Sequence, residues 1–169
     1  AGPVKWSFSS GVFSMAPPTV GGAGVIATNN AGVVHAMTRG ALGGEWPAGW
    51  KPVLLGGAVQ ARSPVVPIPV GSSNPVAFLG AQDGAIYAVD ASLGGNAAPP
   101  WASPAILGPV VQAAPAGVFT AFGGAFDYVL GGTRDATGNN AFVALDPADG
   151  SEKGRFQPAA DPGRIGIVS

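Results

Sequence analysis

Apolar residues in this chain come in short runs, and each run stops at glycine, proline, asparagine or aspartate. Three five-residue runs, GVIAT (residues 24–28), VAFLG (76–80) and YVLGG (128–132), end at the turn-forming stretches NNAG (29–32), AQDG (81–84) and the longer TRDATGNN (133–140). Another apolar run follows each turn: AGVVHAMT (31–38), DGAIYAVD (83–90) and NAFVALD (140–146). Runs of this length between turn residues predict β-strands paired in hairpins. Asn and Asp tolerate φ > 0 and Gly adopts it freely, as tight hairpins require. Runs such as VAFLG do not alternate with polar residues, which predicts strands covered on both faces.

The runs are copies of one unit. Aligning Ala36, Ala88 and Ala144 sets them 52 and 56 residues apart. A second mark recurs independently: Gly11 and Pro18, Gly57 and Pro64, and Gly108 and Pro115 are each seven residues apart. Aromatic residues come later in each copy: Trp46 and Trp50, then Trp101, then Phe156. One unit is therefore expected to hold four strands. The first ends at the proline, the second is the apolar run, the third carries the alanine mark and the fourth carries the aromatic. Four strands in about 50 residues is the period of a β-propeller blade. The predicted fold is all-β, a single partial β-propeller over residues 1–169. Its blades of four antiparallel strands are expected at about 11–50, 57–102 and 108–157, with flanking strands at 4–8 and 163–169. By the seven-residue interval, Gly163 calls for a proline directly after Ser169. The expectation is a segment of a larger propeller, completed by further blades of a longer precursor or of other chains.

Composition sharpens this. Glycine and proline together make 45 of 169 residues, a level that by itself suggests disorder. The 47% hydrophobic content and the net charge of −1 argue against disorder, because such a chain has apolar surface to bury. Only 10% of residues are charged and no two basic residues are adjacent, so nothing favours nucleic acid or an anionic membrane. Cysteine is absent, which removes disulfides, thiolate metal sites and a Cys nucleophile. No apolar run approaches the ~20 residues of a membrane-spanning helix.

The stretch DGAIYAVD, its glycine turn and Trp101 resemble the repeat of the pyrroloquinoline-quinone-like β-propellers. In the first copy Thr38 stands where that repeat ends its strand in Asp, and in the third copy Val143 and Phe156 replace Tyr and Trp. The resemblance implies propeller blades. It leaves function open, since the family includes quinoprotein dehydrogenases, an outer-membrane assembly lipoprotein and domains of surface and pilus-tip adhesins. Fold alone does not choose among these. A secreted, periplasmic or cell-surface location follows from the resemblance only.

The candidate chemistry reads as structural. Asp83 and Asp90 could form a carboxylate pair, but Asp146 repeats the place of Asp90, Asn30 roughly that of Asp83, and Thr38 can bond similarly. Recurrence favours carboxylates that hold turn N–H groups. DPADGSE (146–152) matches a strand-to-strand turn and not the twelve-residue calcium loop, and DATGNN (135–140) reads as a loop insert. His35, the only histidine, takes the position of Tyr87 and is expected to pack. GSS (71–73) lacks the strand–elbow–helix setting of an activated serine. No catalytic, cofactor-binding or metal-binding residue is assigned, and no cofactor is expected. Of Trp46 and Trp50, one fits the blade position and the other is an extra aromatic, so the pair is the candidate protein interface. The expected role is a non-enzymatic structural or protein-binding segment. The alternatives are a fragment of a quinone-dependent dehydrogenase and a ligand- or carbohydrate-binding propeller.

Overall fold

The computed structural model describes residues 9, 11–13, 16–21, 24–38, 50–59, 65–66, 74–111, 113–118, 127–133 and 140–156. The expected flanking strands at 4–8 and 163–169, Trp46 and residues 71–73 lie outside them.

Among the described residues, twelve strands form three four-stranded antiparallel sheets, each a simple meander. Sheet 1 holds β1 (Thr19–Gly21), β2 (Gly24–Thr28), β3 (Val33–Thr38) and β4 (Val53–Leu54). Sheet 2 holds β5 (Val65–Val66), β6 (Val76–Gly80), β7 (Ala85–Asp90) and β8 (Ala105–Ile106). Sheet 3 holds β9 (Ala116–Val118), β10 (Tyr128–Gly132), β11 (Phe142–Leu145) and β12 (Glu152–Phe156). The two central strands pair in the same register in every sheet: Ile26 faces Ala36, Phe78 faces Ala88 and Leu130 faces Ala144. The alanine marks thus occupy one repeated site. The chain is a partial β-propeller.

The absence of alternation has the expected cause. On β6, Val76 and Phe78 enter one core cluster with Val129, Val143 and Leu145 of sheet 3. Ala77 and Leu79 enter another with Ile26, Val34 and Ala36 of sheet 1. Successive side chains point to opposite faces of a strand. The middle sheet is covered on both sides, so all five residues of β6 are buried. Burying Phe78 or Leu79 completely is worth roughly 1.5–3 kcal/mol each relative to exposure.

Two details differ from the sequence reading. The first strand of each sheet begins directly after the proline, at Thr19, Val65 and Ala116, and does not end there. The residues before the proline instead run across the end of a central hairpin. The Asn30 N–H donates to the Phe13 carbonyl (2.9 Å), the Gln82 N–H to Ala58 (2.9 Å), and the Val111 N–H to Ala81 (3.1 Å). Proline has no N–H to place in a ladder, so it suits the residue just outside the strand. The second difference concerns the aromatics. Trp50 and Trp101 precede β4 and β8, whereas Phe156 lies within β12 and is exposed. Phe156 is not the structural counterpart of Trp101.

Candidate functional site: the turn and inter-sheet contacts

The residues singled out by sequence converge on the places where one sheet meets the next. Asp90 ends β7, and its Oδ1 accepts the N–H groups of Ser92 (2.8 Å) and Leu93 (2.7 Å). Its Oδ2 accepts from the Asn74 side chain at 2.7 Å. Asp146 does the same after β11, with Oδ1 accepting the Ala148 N–H at 2.8 Å and Oδ2 paired with Lys153 at 3.0 Å. Each Asp carbonyl accepts the N–H of the glycine four residues on, Gly94 at 3.0 Å and Gly150 at 2.9 Å. Both glycines have positive φ, +57° and +78°, which closes the turn.

These two turns receive the tryptophans of the preceding sheet. A Cβ on Gly150 would lie 2.7 Å from the Trp101 indole, and one on Gly94 would lie 2.8 Å from Trp50. The indole Nε1–H of Trp101 donates to the Pro147 carbonyl at 3.0 Å, and its ring packs on Phe78 with centroids 5.3 Å apart. Beside Trp50, the Lys51 N–H donates to the Leu93 carbonyl (3.2 Å) and the Gly95 N–H to the Lys51 carbonyl (2.8 Å). The carboxylate shapes the turn, glycine removes the Cβ, and the neighbouring indole fills the space. Trp50 is buried in this contact; Trp46 lies outside the described residues.

A second inter-sheet contact joins Asp83, Tyr87 and Gly56. The Tyr87 hydroxyl donates to Asp83 Oδ2 and accepts the Gly56 N–H at 2.9 Å. Asp83 Oδ1 accepts the Ala85 N–H at 3.2 Å. Burial, and then the Asp83 carboxylate, hold the phenol pKa above its ordinary value. Sequence reasoning paired Asn30 with Asp83, but in sheet 1 the capping side chain is Asn29. Its Oδ1 accepts the N–H groups of Ala31 and Val33, both at 3.0 Å, and its amide meets His35 Nε2 at 3.4 Å. Asn29 is buried at the turn position where sheet 2 has Ala81 and sheet 3 has Thr133. The Thr133 hydroxyl accepts the Ala141 N–H at 2.8 Å. In sheet 2 Ala81 leaves that role to Asp83, and only the pairing register reveals which side chain caps each hairpin.

His35 is buried, and desolvation lowers its pKa from 6.5. The unfolded chain therefore binds this proton at a higher pH than the folded one, so stability falls as pH drops below about 6.5. A melting series from pH 8 to pH 5 should show this loss. His35→Tyr, which installs the residue of the second repeat, should flatten the His-dependent part of the curve.

A cleft of about 230 Å3 opens between the outer strand of sheet 1 and sheet 2, lined by Leu54, Leu55, Tyr87, Val89, Pro99 and Trp101 among others. Its lining holds no charged side chain. Among the described residues no three His, Cys, Asp or Glu side chains gather where they could hold a metal ion. No described helix is long and apolar enough to cross a membrane.

No protein-family model matches the chain, and no curated protein matches it. Solved structures do. BamB from Moraxella catarrhalis is similar with a TM-score of 0.60 and 15% identity over 90% of this chain and 39% of that one. The quinohemoprotein alcohol dehydrogenase ADHIIG from Pseudomonas putida gives a TM-score of 0.67 and 20% identity over 92% of this chain and 22% of that one. The computationally designed Ika4 protein gives 0.52 and 14%, over 92% of this chain and 80% of that one. At these identities the likeness is one of fold, that of β-propeller blades. The chain spans well under half the length of the first two.

Proposed function

We propose that this chain is a non-enzymatic structural and protein-binding segment of a β-propeller, working in a secreted, periplasmic or cell-surface assembly. The observation that carries the reading is the engagement of its recurring acids and aromatics. Asp83, Asp90 and Asp146 bind turn N–H groups, and the indoles of Trp50 and Trp101 lie against Gly94 and Gly150. A quinone site needs flat side chains with free faces and carboxylates beside a calcium ion. The residues described here do not fit that group. The contact surface of the assembly is supported by Leu54 and Ile106, which hold the same place on successive outer strands and are 74% and 70% exposed. The location rests on the family resemblance.

The likeness to ADHIIG supplies the competing reading, a dehydrogenase segment. Titrating the full chain with pyrroloquinoline quinone and calcium should give neither saturable quenching of tryptophan fluorescence nor dye reduction with alcohols or sugars. Calcium-dependent quenching with turnover would replace the structural reading by the enzymatic one.

A further inference from the structure

Sheet 2 presents Val76, Phe78, Ile86 and Ala88 to sheet 3, and all four are buried. The strand registers place Tyr128, Leu130, Phe142 and Ala144 at the same four positions on sheet 3, on its face away from sheet 2. Here the outcome is reversed. Tyr128 is 41% exposed, Phe142 44% and Phe156, paired with Phe142 on the same face, 64%. Gly154, paired with Ala144 on that face, has open space where a Cβ would stand, with nothing within 4 Å. The equivalent face of sheet 1, with Ile26, Val34 and Ala36, is buried against sheet 2 as well, so among the described residues this face is covered twice and bare once.

We infer that this face of sheet 3 docks a further four-stranded sheet of the same repeat, contributed by the polypeptide that continues the third repeat. The inference rests on the propeller reading and names its next neighbour. Two observations fix the occupant. The residues match those of an interface already formed between sheets 2 and 3. The existing interface also shows what the incoming sheet must offer. Ile86 sits over Gly131, where a Cβ would also meet Leu107 Cδ1 at 2.6 Å, so the larger Phe142 at the position of Ile86 needs a comparable hollow opposite it.

The test keeps the full chain and follows Ser169 directly with a duplicate of residues 115–169, so that the added Pro115 stands seven residues after Gly163, in register with the repeat. Hydroxyl-radical footprinting read by mass spectrometry is expected to label Tyr128 and Phe142 in the single chain. In the extended chain the first-copy residues should be protected several-fold. Phe142→Glu should leave the Tm of the single chain within a degree or two and lower that of the extended chain by roughly 10 °C. First-copy residues that stay labelled in the extended chain overturn the inference, as does an added repeat that remains unfolded. A single chain that sediments as a dimer with Tyr128 and Phe142 protected also overturns it, by giving the face to a second copy. Quinone-dependent turnover would defeat the functional reading and leave this docking untouched, so the two fail separately.

Discussion

Trp101→Ala is expected to lower the stability of the chain by about 3–5 kcal/mol, the range for removing a large buried aromatic. Trp101 is 2% exposed and touches three things at once: Phe78 beside it, Gly150 of the next sheet, and the Pro147 carbonyl that its Nε1–H reaches. Truncation opens a cavity at the seam between sheets 2 and 3 and leaves that carbonyl without its donor. Domains are stable by only about 5–15 kcal/mol, so a large share of the total would be lost. Urea denaturation of the variant, compared with Trp101→Phe, separates the two contributions. The phenyl ring refills part of the cavity and cannot make the hydrogen bond. Phe156→Ala is the matched control. Because Phe156 is 64% exposed, its change should stay within about 0.5 kcal/mol. Equal losses at the two positions would show that the tryptophan is not the seam residue described here.

Gly84→Ala is the second large effect, expected to cost roughly 2–5 kcal/mol. Gly84 has φ +86°, a left-handed conformation that costs an L-residue about 1–2 kcal/mol. A Cβ there would also run into the Gly108 carbonyl oxygen, a backbone atom that cannot rotate away. The Gly84 carbonyl accepts the Leu107 N–H at 2.9 Å, so any shift of the turn also disturbs the exit from β8. The contrasting substitution is Gly154→Ala, whose Cβ would meet nothing within 4 Å. Thermal melts of the pair should show a loss of several degrees for the first and almost none for the second. A neutral Gly84→Ala would mean that the turn is held by something other than its glycine.

Both predictions depend on the repeat, and the repeat was legible in the sequence. The alanine marks fall at equivalent register positions, and Asp90 and Asp146 hold their turns as their recurrence suggested. Other assignments failed where sequence spacing and spatial equivalence part company. Phe156 follows its alanine mark at nearly the distance of Trp101, yet it lies in a five-residue strand where sheet 2 has only Ala105–Ile106 after a longer connection. Asn29 and Asn30 are adjacent and chemically identical, so only the hairpin register shows which one caps. The pre-proline segments read as strands because their apolar residues are buried, but Ala16, Val59 and Val111 are covered by crossing the hairpin ends.

The sequence alone determined that a four-stranded sheet repeats along the chain, that its central strands pair as a hairpin, and that some strands are buried on both faces. Hydrophobic periodicity and turn chemistry are local properties, and a repeated local pattern must give a repeated local structure. Only the tertiary structure decided which aromatic sits at a seam, which asparagine caps a turn, and which of three like-patterned faces is left uncovered among the described residues. Those outcomes depend on what lies opposite a residue in the next sheet, and that neighbour is some fifty positions away along the chain.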